Sequence, residues 1–218
     1  MCGILGSIGK INIKRFSDSL KLIKHRGPDK TNLLVTENVF FGHQRLKIID
    51  LNQRSDQPMY SKNKKFLLTY NGEIFNYLDL KKKLMDEGAI FETTSDTEVL
   101  LKSYKEYGID CVKKFIGMWS FALWDKKKKK LFLSRDIFGE KPLFYFFDKK
   151  NFFFGSEIKY IQKLSKIKFD INDNYIFQNL FNGYKSLNKK NSTQFKNIYH
   201  LDPGTNLEIN QDLQIKKK

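Results

Sequence analysis

The chain has 218 residues, 40% of them hydrophobic, including 20 Phe and 10 Tyr, so it is long enough for one large domain with a sizeable core and too apolar for global disorder. Its net charge of +16 sits largely in lysine runs, Lys126 to Lys130, Lys81 to Lys83 and Lys216 to Lys218, which read as solvated turns and a tail; arginine, the better reader of phosphates, is scarce, and this argues against nucleic-acid binding. Only Cys2 and Cys111 are cysteines, no run of about 18 apolar residues or secretory leader is present, and no Cys-x-x-Cys or His-x-x-x-His spacing occurs, which argues against a disulfide framework, a membrane helix, secretion and structural zinc and points to a reducing cytoplasm.

In chain order, Cys2 to Ile11 is small and apolar, with Gly3, Gly6 and Gly9, and predicts a buried opening strand. Phe16, Leu20 and Ile23 share one face and predict a short helix over Ser17 to Lys24, broken by His25-Arg26-Gly27-Pro28-Asp29. Leu33 to Gly42 reads as a hairpin turning near Glu37-Asn38, and Phe66 to Tyr70 as a strand ending in an Asn71-Gly72 turn. Asn76 suits the cap of a helix ending at Gly88, and Ser95-Asp96-Thr97-Glu98 reads as a capping box opening a helix that stops at Gly108. Strands follow over Met118 to Trp124, Leu131 to Arg135, Leu143 to Phe147 and Phe152 to Phe154, then a helix from Ser156 through Ile161. Beyond Ser165 the chain turns polar and Asn-rich, through Lys189-Lys190-Asn191-Ser192, and is expected to be less compact. Short strands and hairpins interrupted by few helices give an α+β class with mainly antiparallel sheets.

The chemistry begins at Cys2. Removal of Met1 would leave a thiol and a free α-amine on one residue, and an N-terminal amine can serve as the base for its own nucleophile. Their reference pKa values, about 8.5 and about 7.7–8.0, lie close enough for proton exchange near neutral pH. Such a thiolate needs an acyl substrate held by remote charges and donors at the developing oxyanion. Arg45 offers a forked donor for an α-carboxylate, Asp96 a partner for an α-ammonium, and Asn71-Gly72 a side-chain amide and a backbone N–H for one oxygen. Each has a structural alternative: Asp96 suits a helix N-terminus, Asn71-Gly72 a hairpin, Arg45 a surface ion pair.

Taken together, Met1-Cys2-Gly3-Ile4, His25-Arg26-Gly27-Pro28-Asp29, Gly42-His43-Gln44-Arg45-Leu46 with Ile49-Asp50-Leu51, and Gln57-Pro58-Met59 form an ordered set. It continues through Tyr70-Asn71-Gly72-Glu73-Ile74-Phe75-Asn76, Ser95-Asp96-Thr97-Glu98-Val99 and Gly117-Met118-Trp119-Ser120-Phe121-Ala122. Arg135-Asp136 with Gly139-Glu140-Lys141-Pro142-Leu143, and Gly155-Ser156-Glu157-Ile158-Lys159, complete it. In this order the segments resemble the N-terminal glutaminase domain of glutamine-hydrolysing asparagine synthetases, over about residues 2–160, with Leu201-Asp202-Pro203-Gly204 similar to that family's exit segment.

The resemblance implies a class II glutamine amidotransferase domain over 2–165 with the N-terminal-nucleophile hydrolase fold, a four-layer αββα sandwich of two mainly antiparallel sheets, and an exit segment over 166–218. It implies Cys2 as nucleophile; Arg45, with backbone near Ile48 and Ile49, for the glutamine carboxylate; Asn71 and Gly72 as oxyanion hole; Glu73 and Asp96 for the head group. His25, His43 and His200 are not required for chemistry, and His25 and His43 are expected to orient loops. Glutamine is the implied substrate, a synthetase domain or subunit the implied recipient of ammonia, and a homodimer is compatible with the family. No cofactor is expected in this chain. ATP and magnesium belong to the second domain, whose Ser-Gly-Gly-x-Asp-Ser loop does not occur here, so synthetase activity is not expected from these residues. Two other readings remain open: ammonia delivery to a sugar-type acceptor in surface-polysaccharide biosynthesis, and a non-catalytic remnant.

Overall fold

The computed structural model describes residues 1–182 and 191–217; Lys189, Lys190 and Lys218 of the basic and Asn-rich stretches lie outside the described residues. The elements are β1 (Gly3–Ile8), α1 (Ile13–Lys21), β2 (Lys30–Thr36), β3 (Val39–Arg45), β4 (Met59–Tyr60), β5 (Phe66–Ile74), α2 (Tyr77–Asp86), α3 (Asp96–Tyr107) and β6 (Gly117–Asp125). They continue with β7 (Lys130–Arg135), β8 (Phe144–Phe147), β9 (Phe152–Gly155), α4 (Ile158–Ser165), α5 (Asp173–Asn182), β10 (Tyr199–His200), β11 (Asn206–Asn210) and β12 (Ile215–Lys217). Two six-stranded sheets result, ordered β10-β8-β9-β1-β3-β2 and β12-β11-β7-β6-β5-β4, with antiparallel neighbours throughout.

Strand alternation sorts the apolar residues into three buried layers. Ile4, Ile8, Val39, Phe41, Trp124, Leu131, Leu133, Phe152 and Phe154 meet between the sheets. Their sequence neighbours point outward: Leu5, Phe40 and Phe153 pack under α1 and α4 through Phe16, Leu20, Ile161 and Leu164. On the other sheet, Leu68, Phe121, Leu123 and Phe132 pack under α2 and α3 through Leu80, Leu84, Val99 and Leu100. The order helix, sheet, sheet, helix explains why so many strands are apolar at every position: both of their faces are covered. Gly6 shows how tightly this closes, because a Cβ there would lie 2.1 Å from the Phe154 ring, which packs edge-on against Phe41 at 5.5 Å. Phe154→Ala is expected to lower stability by about 3–5 kcal/mol, read from the urea midpoint at unchanged slope.

Several local features depart from expectation. The first helix begins at Ile13, because the Asn12 side chain caps it by accepting from Arg15 N–H at 3.0 Å. The Asn71-Gly72 turn is not formed: β5 runs through both residues to Ile74, paired with β6 over its whole length. Nine paired residues outweigh the local turn preference. Asn76 precedes α2 but ties down the Lys114–Ile116 backbone with its side chain instead of capping. Ser95 caps α3 as predicted, whereas the Glu98 carboxylate serves Glu92, Thr93 and Lys102. The segment after Ser165 is less loose than its composition predicts: β10 extends one sheet, β11 and β12 the other, and Leu207 and Ile209 are buried. Among the described residues, no helix is long and apolar enough to cross a membrane.

Candidate active site

The start of β1, the loop after β3, the end of β5 and the start of α3 converge on a cavity of about 220 Å³. Cys2, Arg45, Ile48, Ile49, Asn71, Gly72, Glu73 and Asp96 all line it. The volume suits one amino-acid-sized ligand, below the range of about 300–1,000 Å³ for drug-sized pockets. A larger groove of about 640 Å³ borders α2 and α3, but its buried carboxylate, Glu98, is saturated by its own loop.

Cys2 is half-buried and its thiol is free. Its Sγ accepts from the Leu46 N–H at 3.4 Å and lies 3.6 Å from the Leu46 carbonyl, while its own carbonyl accepts from Arg26 Nε at 3.0 Å. Burial pushes the thiol above its ordinary value; the Leu46 N–H and the Arg45 charge oppose this without reversing it. A base beside the sulfur is therefore needed near neutral pH. Met1 also lines the cavity.

The guanidinium of Arg45 is buried, and its Nη protons go to its own loop. Nη1 donates to Asn52 O at 2.9 Å and pairs with Asp56 Oδ1 at 2.6 Å; Nη2 donates to Asp50 O and, at 3.5 Å, to Ile49 O. The Arg45 fork thus shapes the wall that carries Ile48 and Ile49. The His25-to-Asp29 motif anchors the same loop. Asp29 accepts from Lys47 N–H at 2.8 Å and donates its own N–H to Arg45 O at 3.1 Å. Only glycine fits at position 27, where a Cβ would lie 2.2 Å from Gln44 O.

The far end of β5 supplies the donors. The bonds Phe75 N–H to Ile116 O (2.7 Å) and Lys126 N–H to Lys65 O (2.9 Å) set a register in which odd-numbered β5 residues bond to β6. Even-numbered residues turn their N–H groups to the opposite edge, and β4 covers that edge only at Leu67 and Leu68. Beyond it, Tyr70 N–H donates to Gln57 Oε1 at 2.7 Å and Ile74 N–H donates to Asp96 Oδ2 at 3.2 Å. Between them the Gly72 N–H has no ladder partner among the described residues, and Gly72 lines the cavity. Asn71, on the adjacent position, is 2% exposed, and its Nδ2 is buried without a hydrogen-bond partner among the described residues. An orphan buried amide costs about 1–3 kcal/mol. A side chain at Gly72 would meet Met118 O at 2.3 Å, so the glycine serves close strand approach.

Asp96 opens α3 and is 4% exposed. Burial pushes its carboxyl up, against the hydrogen bonds from the Tyr70 hydroxyl (2.8 Å) and Ile74 N–H. A cation beside it would restore the charged form. Glu73, half-buried, brings a second carboxylate to the same wall. Among the described residues, no group of three or more His, Cys, Asp or Glu side chains gathers to hold a metal ion.

His43 bridges the sheets from behind. Its Nε2 lies 3.1 Å from Tyr70 O, so the ring braces the strand that carries Asn71. Burial pulls its pKa from 6.5 to about 4. The unfolded chain therefore takes up a proton that the folded chain refuses, and stability is full above pH 6.5 and falls as pH drops toward 4. Urea midpoints at pH 7 and pH 5 are expected to differ less for His43→Gln than for the wild type.

Sequence reasoning did not assign roles to Leu46, Gln57, Tyr70, Thr97, Met118 and Lys141, all of which line the cavity. Leu46 acts through its backbone, which no side-chain pattern encodes. Gln57 was visible within Gln57-Pro58-Met59; its amide joins Tyr70 N–H to Thr97 Oγ1 and so links β5 to α3.

Comparison with known proteins gives this geometry its context. Asparagine synthetase [glutamine-hydrolyzing] 3 of Bacillus subtilis is 43% identical over 77% of this chain and 28% of its own length. Asparagine synthetase [glutamine-hydrolyzing] 1 of the same organism is 34% identical over 97% of this chain and 34% of its own length. The chain thus spans about a third of these relatives. A solved Bacillus subtilis glutamine phosphoribosylpyrophosphate amidotransferase, complexed with ADP and GMP, superposes with a TM-score of 0.75 at 19% identity, covering 100% of this chain and 49% of that one. That likeness shows the fold: the sandwich is of the N-terminal-nucleophile hydrolase type, as the resemblance implied. The family model described as "Glutamine amidotransferase domain" matches residues 1–218, and the chain belongs to that family.

Proposed function

We propose that the cavity binds glutamine and that Cys2, once Met1 has been removed, hydrolyses its side-chain amide. The observation that carries this reading is the pair of unpartnered donors, Asn71 Nδ2 and Gly72 N–H, on the wall of an amino-acid-sized cavity that also holds Cys2 Sγ. A thiol without such donors would have no stabiliser for an oxyanion.

In this mechanism Asp96 and Glu73 receive the α-ammonium, and Arg45 with the Ile48–Ile49 backbone receives the α-carboxylate in exchange for loop carbonyls. The Cys2 amine takes the thiol proton, and sulfur attacks the side-chain carbonyl carbon. The resulting oxyanion takes hydrogen bonds from Asn71 and Gly72. The C–N bond then breaks, nitrogen leaves as ammonia with the proton from the Cys2 ammonium, and a γ-glutamyl thioester remains. Water, deprotonated by the same amine, attacks the thioester; the C–S bond breaks, the thiolate recovers a proton, and glutamate departs. With Met1 present the Cys2 nitrogen is an amide and cannot act as base.

The names of the relatives favour aspartate as the eventual ammonia acceptor, amidated by an ATP-dependent domain or subunit beyond residues 2–165. No observation favours a sugar-type acceptor. Exposed Phe75 and Leu78, which follow cavity-lining Glu73, and exposed Ile116, Ile137 and Phe138, which precede cavity-lining Met118 and Lys141, support a covering partner there. The test compares protein with Met1 removed against a variant with a bulky residue inserted after Met1 to block removal. Glutamate release from glutamine is expected only from the first; equal release from both would contradict the reading.

A further inference from the structure

We propose that Glu157 is a positioning residue for the Cys2 nucleophile and acts through Arg26. The proposal rests on the reading of Cys2 as nucleophile. Once Met1 is gone, the covalent link of Cys2 to the fold runs only through its carbonyl carbon, beside the Sγ contact with the Leu46 backbone. The orientation of the Cys2–Gly3 peptide group then sets where the Cys2 Cα sits, and so the point from which both the sulfur and the amine reach into the cavity. What holds that carbonyl is Arg26 Nε, at 3.0 Å. What holds Arg26 is Glu157: Nη1 lies 3.2 Å from Oε1, and the two side chains are 10% and 24% exposed.

Local structure frees Glu157 for this task. It is the N-cap residue of α4, yet its side chain makes no capping bond. Its carboxylate meets Arg26, His25 at 2.8 Å and Lys159 at 3.1 Å instead. The preceding residue fixes its place beside the chain start, because Ile4 N–H donates to Ser156 Oγ and Ser156 N–H donates to Ile4 O, both at 3.0 Å. Partial burial pushes the Glu157 carboxyl up, but the bonds from Lys159, His25 and Arg26 outweigh it and keep the group below the usual carboxylate range. The charged and titratable groups concerned are Arg26, Arg45 and Asp96 around Cys2, and His25, Arg26, Lys159 and the Tyr160 phenol around Glu157.

Loss of the Glu157 charge has two consequences. Arg26 loses its anchor, so the nucleophile spends less time aligned. Arg26 is also left uncompensated, and its positive charge favours the deprotonated amine and thiol. The experiment uses Met1-free protein as wild type, Glu157→Gln, Glu157→Asp, Arg26→Ala, Arg26→Ala/Glu157→Ala and His25→Ala. Glu157→Gln is expected to lower kcat about tenfold, leave KM for glutamine within about twofold, and move the acid limb of kcat/KM down by about half a pH unit. Glu157→Asp is expected to return the limb to its wild-type position, and His25→Ala to leave it there. The double variant is expected to be no slower than Arg26→Ala alone. A wild-type profile for Glu157→Gln, or additive losses in the double variant, would overturn the proposal.

Alkylation of Cys2 by iodoacetamide, followed by mass spectrometry across pH, supplies a readout that needs no turnover. Cys111 stays silent, being 0% exposed with its thiol pushed up to about 12. A downward shift of the Cys2 midpoint in Glu157→Gln supports the proposal even if the wild type releases no glutamate, a result that would sink the glutaminase reading alone. An unshifted midpoint overturns the role of Glu157.

Discussion

Cys2→Ala is expected to lower glutamine hydrolysis by on the order of 10⁴–10⁶-fold, the scale seen when a nucleophile acting within a unit is removed. The donors of β5 and the charged walls remain in that variant, so glutamine binding should persist while turnover disappears. Isothermal titration with glutamine separates the two: a Kd close to the wild-type value with no glutamate formed is the expected pair of results. Among the described residues the side chain of Cys2 bonds only with the backbone of Leu46, so the melting temperature is expected to stay within about 2 °C of the wild type. Loss of activity through unfolding would appear as a lowered melting temperature and would not count in favour of the assignment.

The second large effect is expected at the two unpartnered donors. Asn71→Ala should reduce kcat by about 10²–10³-fold, the usual consequence of losing one oxyanion donor. Its stability should be unchanged or slightly higher, because a buried Nδ2 without a partner is removed along with the side chain. That combination, slower and no less stable, distinguishes an amide kept for chemistry from one kept for packing. Gly72→Ala behaves differently. Its Cβ would lie 2.3 Å from Met118 O and 2.7 Å from Trp119 Cα, so β5 and β6 must separate and both activity and stability should fall. Denaturant midpoints and initial rates on the same preparations check both variants.

Residue identities at the site were legible in the sequence, and their backbone setting was not. Cys2, Arg45, Asn71, Gly72 and Asp96 stood out because each offers the functional group that a nucleophilic amidase needs. Asn71-Gly72 nonetheless reads locally as a turn. Only the register with β6, set by residues some fifty positions later, turns the pair into a strand edge with one N–H left over. Arg45 was legible as a forked donor, but besides the Asp56 carboxylate its partners are carbonyls of Ile49, Asp50 and Asn52, and main-chain acceptors carry no sequence signature. Glu98 looked like the second arm of a capping box; the loop just before α3 gives it the Glu92 and Thr93 N–H groups instead. The hairpin at Glu37-Asn38 and the lysine turn between β6 and β7 were read correctly because their signals are short-range and unopposed. The polar segment after Ser165 misled because edge strands such as β10 and β12 bury little and so resemble loops in composition.

The measurement that tests the central claim most directly is the intact and peptide mass of Met1-free protein, acid-quenched during turnover with glutamine. A γ-glutamyl group is expected on the peptide carrying Cys2, labile to hydroxylamine as a thioester should be, and absent from Cys2→Ala and from protein that retains Met1. Steady release of glutamate with no acyl group on Cys2, or equal release by Cys2→Ala, would contradict the account.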